Sequence, residues 1–231
     1  MHIRKLYHQY LSVIIVLLGI GVVPNINAAS NVFVNYNKSD NLIQNTVTDI
    51  VEDKNGFIWF STFEGLSRFD GYEFKNYPPS YTLPNSIPAG FIKKLQLDSE
   101  GQLWVATVNG LAKYNTLSDD FTVFDKNNSD LKSNEIYTLS INRNGQLLVA
   151  TDENLYLYEQ YSKRFLPFIV GGENLPREIK FILSEDDKTW IGSLGHGVYL
   201  LDHSTNILYD LKKITLGILI LTRITSSISK R

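Results

Sequence analysis

Few residues in this sequence combine a reactive type with a workable spacing. There is no Cys, which removes disulfide frameworks, thiolate zinc sites and cysteine nucleophiles. Of four His, only His196 and His203 stand in the body of the chain. His196 lies between Gly195 and Gly197. It reads as an inserted turn residue, with proton transfer or metal binding as the functional alternative. His203 follows beside Asp202, and no His-x-x-x-His spacing joins the two. Asp49, Glu52 and Asp53 precede Asn55. They suggest calcium only loosely, because an EF-hand needs its Gly and a later Glu in register. Asp119 with Asp120, and Asp186 with Asp187, read as solvated loop charges. Neither a metal site, a cofactor nor a catalytic set is predicted. Trp59, Trp104 and Trp190 could stack on sugars, but they share one position in an apolar strand, which assigns them to packing.

The elements around these residues repeat. Gly56-Phe57-Ile58-Trp59-Phe60-Ser61-Thr62 precedes Gly65-Leu66, and 45 residues later Gly101-Gln102-Leu103-Trp104-Val105-Ala106-Thr107 precedes Gly110-Leu111. A third copy, 44 residues on, runs from Gly145 to Thr151 and continues with Asn154-Leu155. A fourth, 42 residues on, runs from Asp187 through Trp190 to Ser193 and continues with Gly197-Val198. Asp53, Asp98, Asn142 and Ser184 stand three residues before the Gly slot, where a short side-chain oxygen can hold a turn. Gly56, Gly101 and Gly145 then supply positive φ, and Asp187 is a type that still visits that region. The strand after each turn is almost continuously apolar, as a strand with a sheet on either face must be.

Each copy has an inner strand before the core, marked by Val47 and Ile50, Ile92 and Leu95, or Ile136 and Leu139. Each has an outer strand after it, marked by Phe74 and Tyr77, Phe121 and Phe124, Phe165 and Phe168, or Leu208 and Leu211. Four antiparallel strands in roughly 42–45 residues make a β-propeller blade. The expected blades cover 42–77, 83–124, 131–168 and 175–211, and the fold class is all-β. Phe33 and Tyr36 repeat the outer-strand spacing, so 32–36 is expected to be an outer strand without its inner three.

The pattern Asp-x-x-Gly-x-x-Trp-x-x-Thr-x-x-Gly-Leu-x-Arg-Phe/Tyr-Asp resembles the two-component regulator propeller repeat. The first copy, Asp53 to Asp70, carries Asp53, Gly56, Trp59, Thr62 and Gly65. The second carries Asp98, Gly101, Trp104, Thr107 and Gly110. The third keeps Gly145 and Thr151 but has Leu148 and Asn154, and the fourth keeps Trp190 without the turn Asp or its Gly. WD, kelch and quinoprotein patterns do not recur. The resemblance implies an extracytoplasmic sensor region that binds a small molecule such as a saccharide. In the family such regions precede a membrane span and a histidine kinase or GGDEF output. A propeller lyase relying on His196, and a secreted propeller working by protein contact, are the alternatives.

Composition agrees with export and not with nucleic acid. Lys and Arg number 22 against 24 Asp and Glu, a net charge of −2, which offers no basic stripe for phosphates. Arg4 and Lys5 precede an apolar stretch from Leu11 to Val23, then Pro24 and the small residues Ala28 and Ala29. This reads as a signal peptide over 1–28, too short in its apolar part for a membrane anchor. A periplasmic or secreted location follows. Residues 212–231 lack the repeat pattern and contain no long apolar run, so no transmembrane span is expected. With only that tail after the fourth copy, the expectation is an incomplete propeller, cut short before any output domain; a four-bladed ring or a blade-sharing oligomer is the alternative. Exposed end-blade faces are then expected to self-associate.

Overall fold

The computed structural model describes residues 33–170 and 175–212. The expected signal peptide, Gly171-Gly172 and nearly all of the tail lie outside the described residues. Among the described residues, sixteen strands form four antiparallel sheets, each ordered as its strands occur in the chain. The first sheet is β1 (Val47–Glu52), β2 (Ile58–Thr62), β3 (Leu66–Phe69) and β4 (Phe74–Tyr77). The second is β5 (Ile92–Leu97), β6 (Leu103–Thr107), β7 (Gly110–Asn115) and β8 (Asp120–Phe124). The third is β9 (Ile136–Ile141), β10 (Leu147–Thr151), β11 (Leu155–Glu159) and β12 (Arg164–Pro167). The fourth is β13 (Ile179–Ser184), β14 (Lys188–Ser193), β15 (Gly197–Asp202) and β16 (Ile207–Asp210). This is the blade architecture expected from the repeat. Residues 33–36, expected to belong to an outer strand, carry no ladder in the structure. A strand exists through the partner that satisfies its backbone, and the spacing of two aromatics does not supply one.

The inner strands β1, β5, β9 and β13 lie side by side, and the sheets stack face to face. Trp59 and Trp104 are fully buried between neighbouring sheets, with Tyr114 and Tyr158 of the next sheet set edge-on at 4.7 and 4.8 Å. Leu148, fully buried too, replaces Trp at the third junction. Trp190 differs. It is only partly buried, because no described sheet covers its side of the fourth. The strand sequence alone assigns all three Trp to packing, but burial needs a neighbour as well as an apolar residue.

The turns behave as their side chains dictate. Gly56, Gly101 and Gly145 take positive φ at 81°, 77° and 76°. The fourth hairpin is one residue tighter. Glu185 donates its N–H to the Lys188 carbonyl at 2.8 Å, where Asp53 reaches Phe57 in the first. Asp187 accordingly does not adopt the positive φ expected of a Gly substitute.

Candidate functional site

The repeat residues hold the scaffold. Asp53 Oδ1 accepts from the N–H groups of Asn55 and Phe57 at 2.8 and 3.2 Å, closing the first hairpin. Its other oxygen accepts from Trp59 Nε1 at 2.8 Å. Asp98 does the same for Glu100, Gln102 and Trp104. A carboxylate is thus needed twice, once for the turn and once to satisfy a buried indole N–H. Where Trp gives way to Leu148, Asn142 suffices: its Oδ1 holds Asn144 and Gln146, and no indole needs a partner. At the other end of the strand Thr62 and Thr107 donate to the carbonyls of Gly65 and Gly110 at 2.8 and 2.7 Å. Thr151 does so for Asn154 at 3.1 Å. A Cβ on Gly65 would meet Ile43 Cδ1 and the Tyr77 carbonyl, both at 2.8 Å, so Gly is required there.

Those Thr-held turns define one end of the sheets, and the topology brings other features to it. The long loop Pro78–Pro88 lies between β4 and β5, residues 168–170 and 175–178 lie between β12 and β13, and residues 194–196 lie between β14 and β15. In a meander these connections all emerge at the end where the inner strands begin. A cleft of about 280 Å³ beside the first loop is lined by Ser80, Tyr81, Pro88, Asn109 and Asp125, among others. A second, of about 320 Å³, involves Glu153, Phe168, Leu175 and Arg177. Phe63 and Phe91 stand at this end with their rings edge-to-face at 4.9 Å, both substantially exposed.

Each inner strand also carries an irregularity near this end. Its register against the next strand shifts between Val47 and Asp49, between Ile92 and Lys94, between Ile136 and Thr138, and between Ile179 and Phe181. The extra residues are Thr48, Lys93, Tyr137 and Lys180. Bulges of this kind re-aim side chains and are enriched beside functional sites. Thr48 Oγ1 donates to the Ile92 carbonyl at 2.9 Å and ties the first two inner strands together. Lys93 Nζ lies 4.1 Å from the centroid of the Tyr137 ring and pairs with Glu135 at 2.7 Å. Lys180 Nζ lies 2.9 Å from the same centroid. Next to this row, Lys94 pairs with Asp49 at 2.9 Å, and Asp49 also accepts from the Leu95 N–H. Sequence reasoning passed over Lys93, Tyr137 and Lys180. The signal available was their shared place, one residue after Ile92, Ile136 and Ile179, but only pairing register distinguishes a bulge from a plain strand residue.

Elsewhere the polar residues serve structure. Asp119, expected to be a solvated loop charge, takes φ of 55° and accepts from Tyr77 and Tyr114 at 2.6 and 2.7 Å. It also pairs with Lys75, and Arg68 donates to the Tyr114 hydroxyl. Burial raises the Asp119 pKa, but the hydrogen bonds from Lys75, Tyr77 and Tyr114 outweigh it and bring it to about 2. Burial, with the bond to Asp119 adding to it, raises Tyr77 far above its ordinary range. His196 is exposed at its turn, with no carboxylate in ion-pair range among the described residues. His203 shares a hydrogen bond with Thr189 at 2.9 Å, and burial, assisted by Arg143, lowers its pKa. Among the described residues no group of His, Asp and Glu is placed to hold a metal ion. No helix there is long and apolar enough to cross a membrane.

Residues 41–64 match the family described as two component regulator propeller. The chain carries this propeller repeat. A curated relative, histidine kinase P4 of Formosa agariphila, is 46% identical over 46 residues, which is 20% of this chain and 3% of that protein. Among solved structures, the propeller is similar to the extracellular domain of a hybrid two-component system from B. thetaiotaomicron. That likeness has a TM-score of 0.62 at 25% identity and covers 72% of this chain and 24% of the other. Virginiamycin B lyase from Staphylococcus aureus shares the fold at TM-score 0.53 and 20% identity, over 71% of this chain and 54% of the other. The chain therefore spans a small part of the sensor proteins it resembles.

Proposed function

We propose that this chain is an extracytoplasmic ligand-sensing region of a two-component or diguanylate-cyclase-type signalling protein, non-catalytic in itself. The observation that carries the reading is the convergence at one end of the sheets. The longest connection between sheets, from β4 to β5, emerges where the inner-strand bulges and the exposed Phe63–Phe91 pair stand. Variable loops on a rigid repeat scaffold are where recognition resides. The likeness to an extracellular domain of a hybrid two-component system supports the compartment and the role. A small molecule, with saccharides as the first class to screen, is the expected ligand.

The test is a thermal-shift screen of the exported chain against mono- and oligosaccharides, repeated with the loop 78–88 shortened. A ligand whose stabilisation vanishes on loop shortening supports sensing. A chain that binds nothing in the screen, or one whose turnover of a compound is abolished by His196→Ala, overturns it.

A further inference from the structure

The bulge row contains an electrostatic arrangement that the repeat does not require. Lys93, Tyr137 and Lys180 occupy equivalent positions in three successive inner strands, and both ammonium groups approach one phenol ring. Because they share that ring, they are no more than about 7 Å apart, a like-charge pair that repels unless an anion joins it. Lys93 has Glu135 as its counter-ion. Among the described residues no carboxylate lies within ion-pair distance of Lys180, which is exposed. A ring quadrupole attracts cations, so Tyr137 gathers positive charge at the inner edge of the sheets. The first inner strand places Thr48 at the corresponding position and engages its hydroxyl in holding the neighbouring strand. The blade does not demand a Lys at this position, and its recurrence is specific to the second and fourth sheets.

We infer that Lys93, Tyr137 and Lys180 form a binding site for the carboxylate of an acidic saccharide. The anion bridges Lys180 and Lys93, displacing or sharing Glu135, while Phe63 and Phe91, at the same end of the sheets, offer apolar rings to the sugar face. Two ammonium donors with a flexible approach suit a single carboxylate or sulfate better than a neutral hydroxyl, because charge-assisted hydrogen bonds are about twice as strong as neutral ones. Of these, the carboxylate matches the saccharide class in which the exposed aromatics also find a use. The inference rests on the sensing role proposed above and names its ligand class.

The experiment is titration calorimetry of the exported chain with a galacturonate oligosaccharide, with the same oligosaccharide reduced to neutral alcohols, and with inorganic sulfate. The acidic sugar is expected to bind, the neutral one to bind at least about tenfold more weakly, and added salt to weaken the acidic sugar. Lys180→Gln is expected to lower affinity about fivefold to tenfold, and Glu135→Gln to raise it by removing the competing carboxylate. Lys180 is exposed, so its variant should fold, and an unchanged melting temperature verifies this. Equal binding of acidic and neutral sugars, or affinity indifferent to Lys180→Gln, overturns the carboxylate site while leaving a sensor of neutral ligands standing. Sulfate competing for the sugar supports the site. Sulfate binding in place of any sugar overturns the saccharide assignment. Failure of all three probes overturns the site; whether the sensing role falls with it is read from the wider screen.

Discussion

The first and fourth sheets are both end sheets, yet they finish differently. The outward face of the first is closed by its own chain. Leu42 packs on Phe69 and Phe74 together with Ile58 and Phe60, and the Tyr36 ring meets Phe69 and Phe74 at 5.0 and 5.7 Å. Asn41 and Asn76 lock this cover in place, each donating to a backbone carbonyl across it at 2.9 Å. Only the inner strand escapes, with Ile50 54% exposed. The outward face of the fourth sheet has no such cover among the described residues. Phe181 and Leu183 are 55% and 44% exposed, and the cross-strand row Leu183, Trp190, Leu200 and Tyr209 lies along it. The same repeat therefore yields a fully buried Trp or a partly exposed one, according to what the next segment of chain provides.

The largest expected effect is at a covered junction. Trp59→Ala should cost about 3–5 kcal/mol in a denaturant melt, whereas Trp190→Ala should cost about 1–2, because a partly exposed side chain loses less on truncation. Equal losses would abolish the distinction between covered and open faces. Next comes the first sheet's cover. Leu42→Ala should cost about 2–3 kcal/mol, the lower part of the range for a buried Leu, since the site is at an edge that can relax. Asp98→Ala should follow at about 1–3 kcal/mol, because it orphans the buried Trp104 indole, and Asn142→Ala should cost less at a turn with no indole to satisfy. Urea titrations of the pair read the difference.

Smaller still is an acid effect at the first junction. The Asp119 pKa falls from 3.8 to about 2 on folding, so ionised Asp119 favours the folded form. That contribution is complete above about pH 4 and drains away as pH falls toward 2. Asp119→Asn should flatten the acid limb of the stability curve and leave the fourth sheet's Phe181 environment unchanged. The smallest effect on stability, within about 0.5 kcal/mol, is expected for Phe181→Ser with Leu183→Thr, as for surface substitutions generally. We propose that this open face drives self-association. Light scattering should then show smaller species for the double variant, and an unchanged or already monomeric profile would sharpen the contrast against us.

Much of the scaffold was legible before any coordinates. The Gly slots and the turn Asp residues announced hairpins because positive φ and side-chain-to-backbone bonds are local requirements, and the third copy's Asn142 satisfied them as Asp53 did. The fourth turn was misjudged at Asp187 because its hairpin sheds a residue, and a spacing of three before Trp190 does not reveal how strands pair. The connections 78–88 and 193–197 share an end with the bulges, and the cleft beside 78–88 needs Asn109 and Asp125, which flank strands of the second sheet, so composition does not reveal it. Asp119 looked like a loop charge because Tyr77 lies 42 residues away, and only stacking of sheets brings that donor alongside the local one, Tyr114.

By itself the sequence determined the four-strand unit, its number of copies, its turns and the residues with apolar strand positions, since each depends on contacts within a few residues or across one hairpin. The tertiary structure alone decided which Trp is dry, which end sheet is capped, and that Lys93 and Lys180 meet over Tyr137. Those outcomes depend on side chains roughly 44 residues apart being brought together by sheet packing, and on bulges that change aim without changing composition.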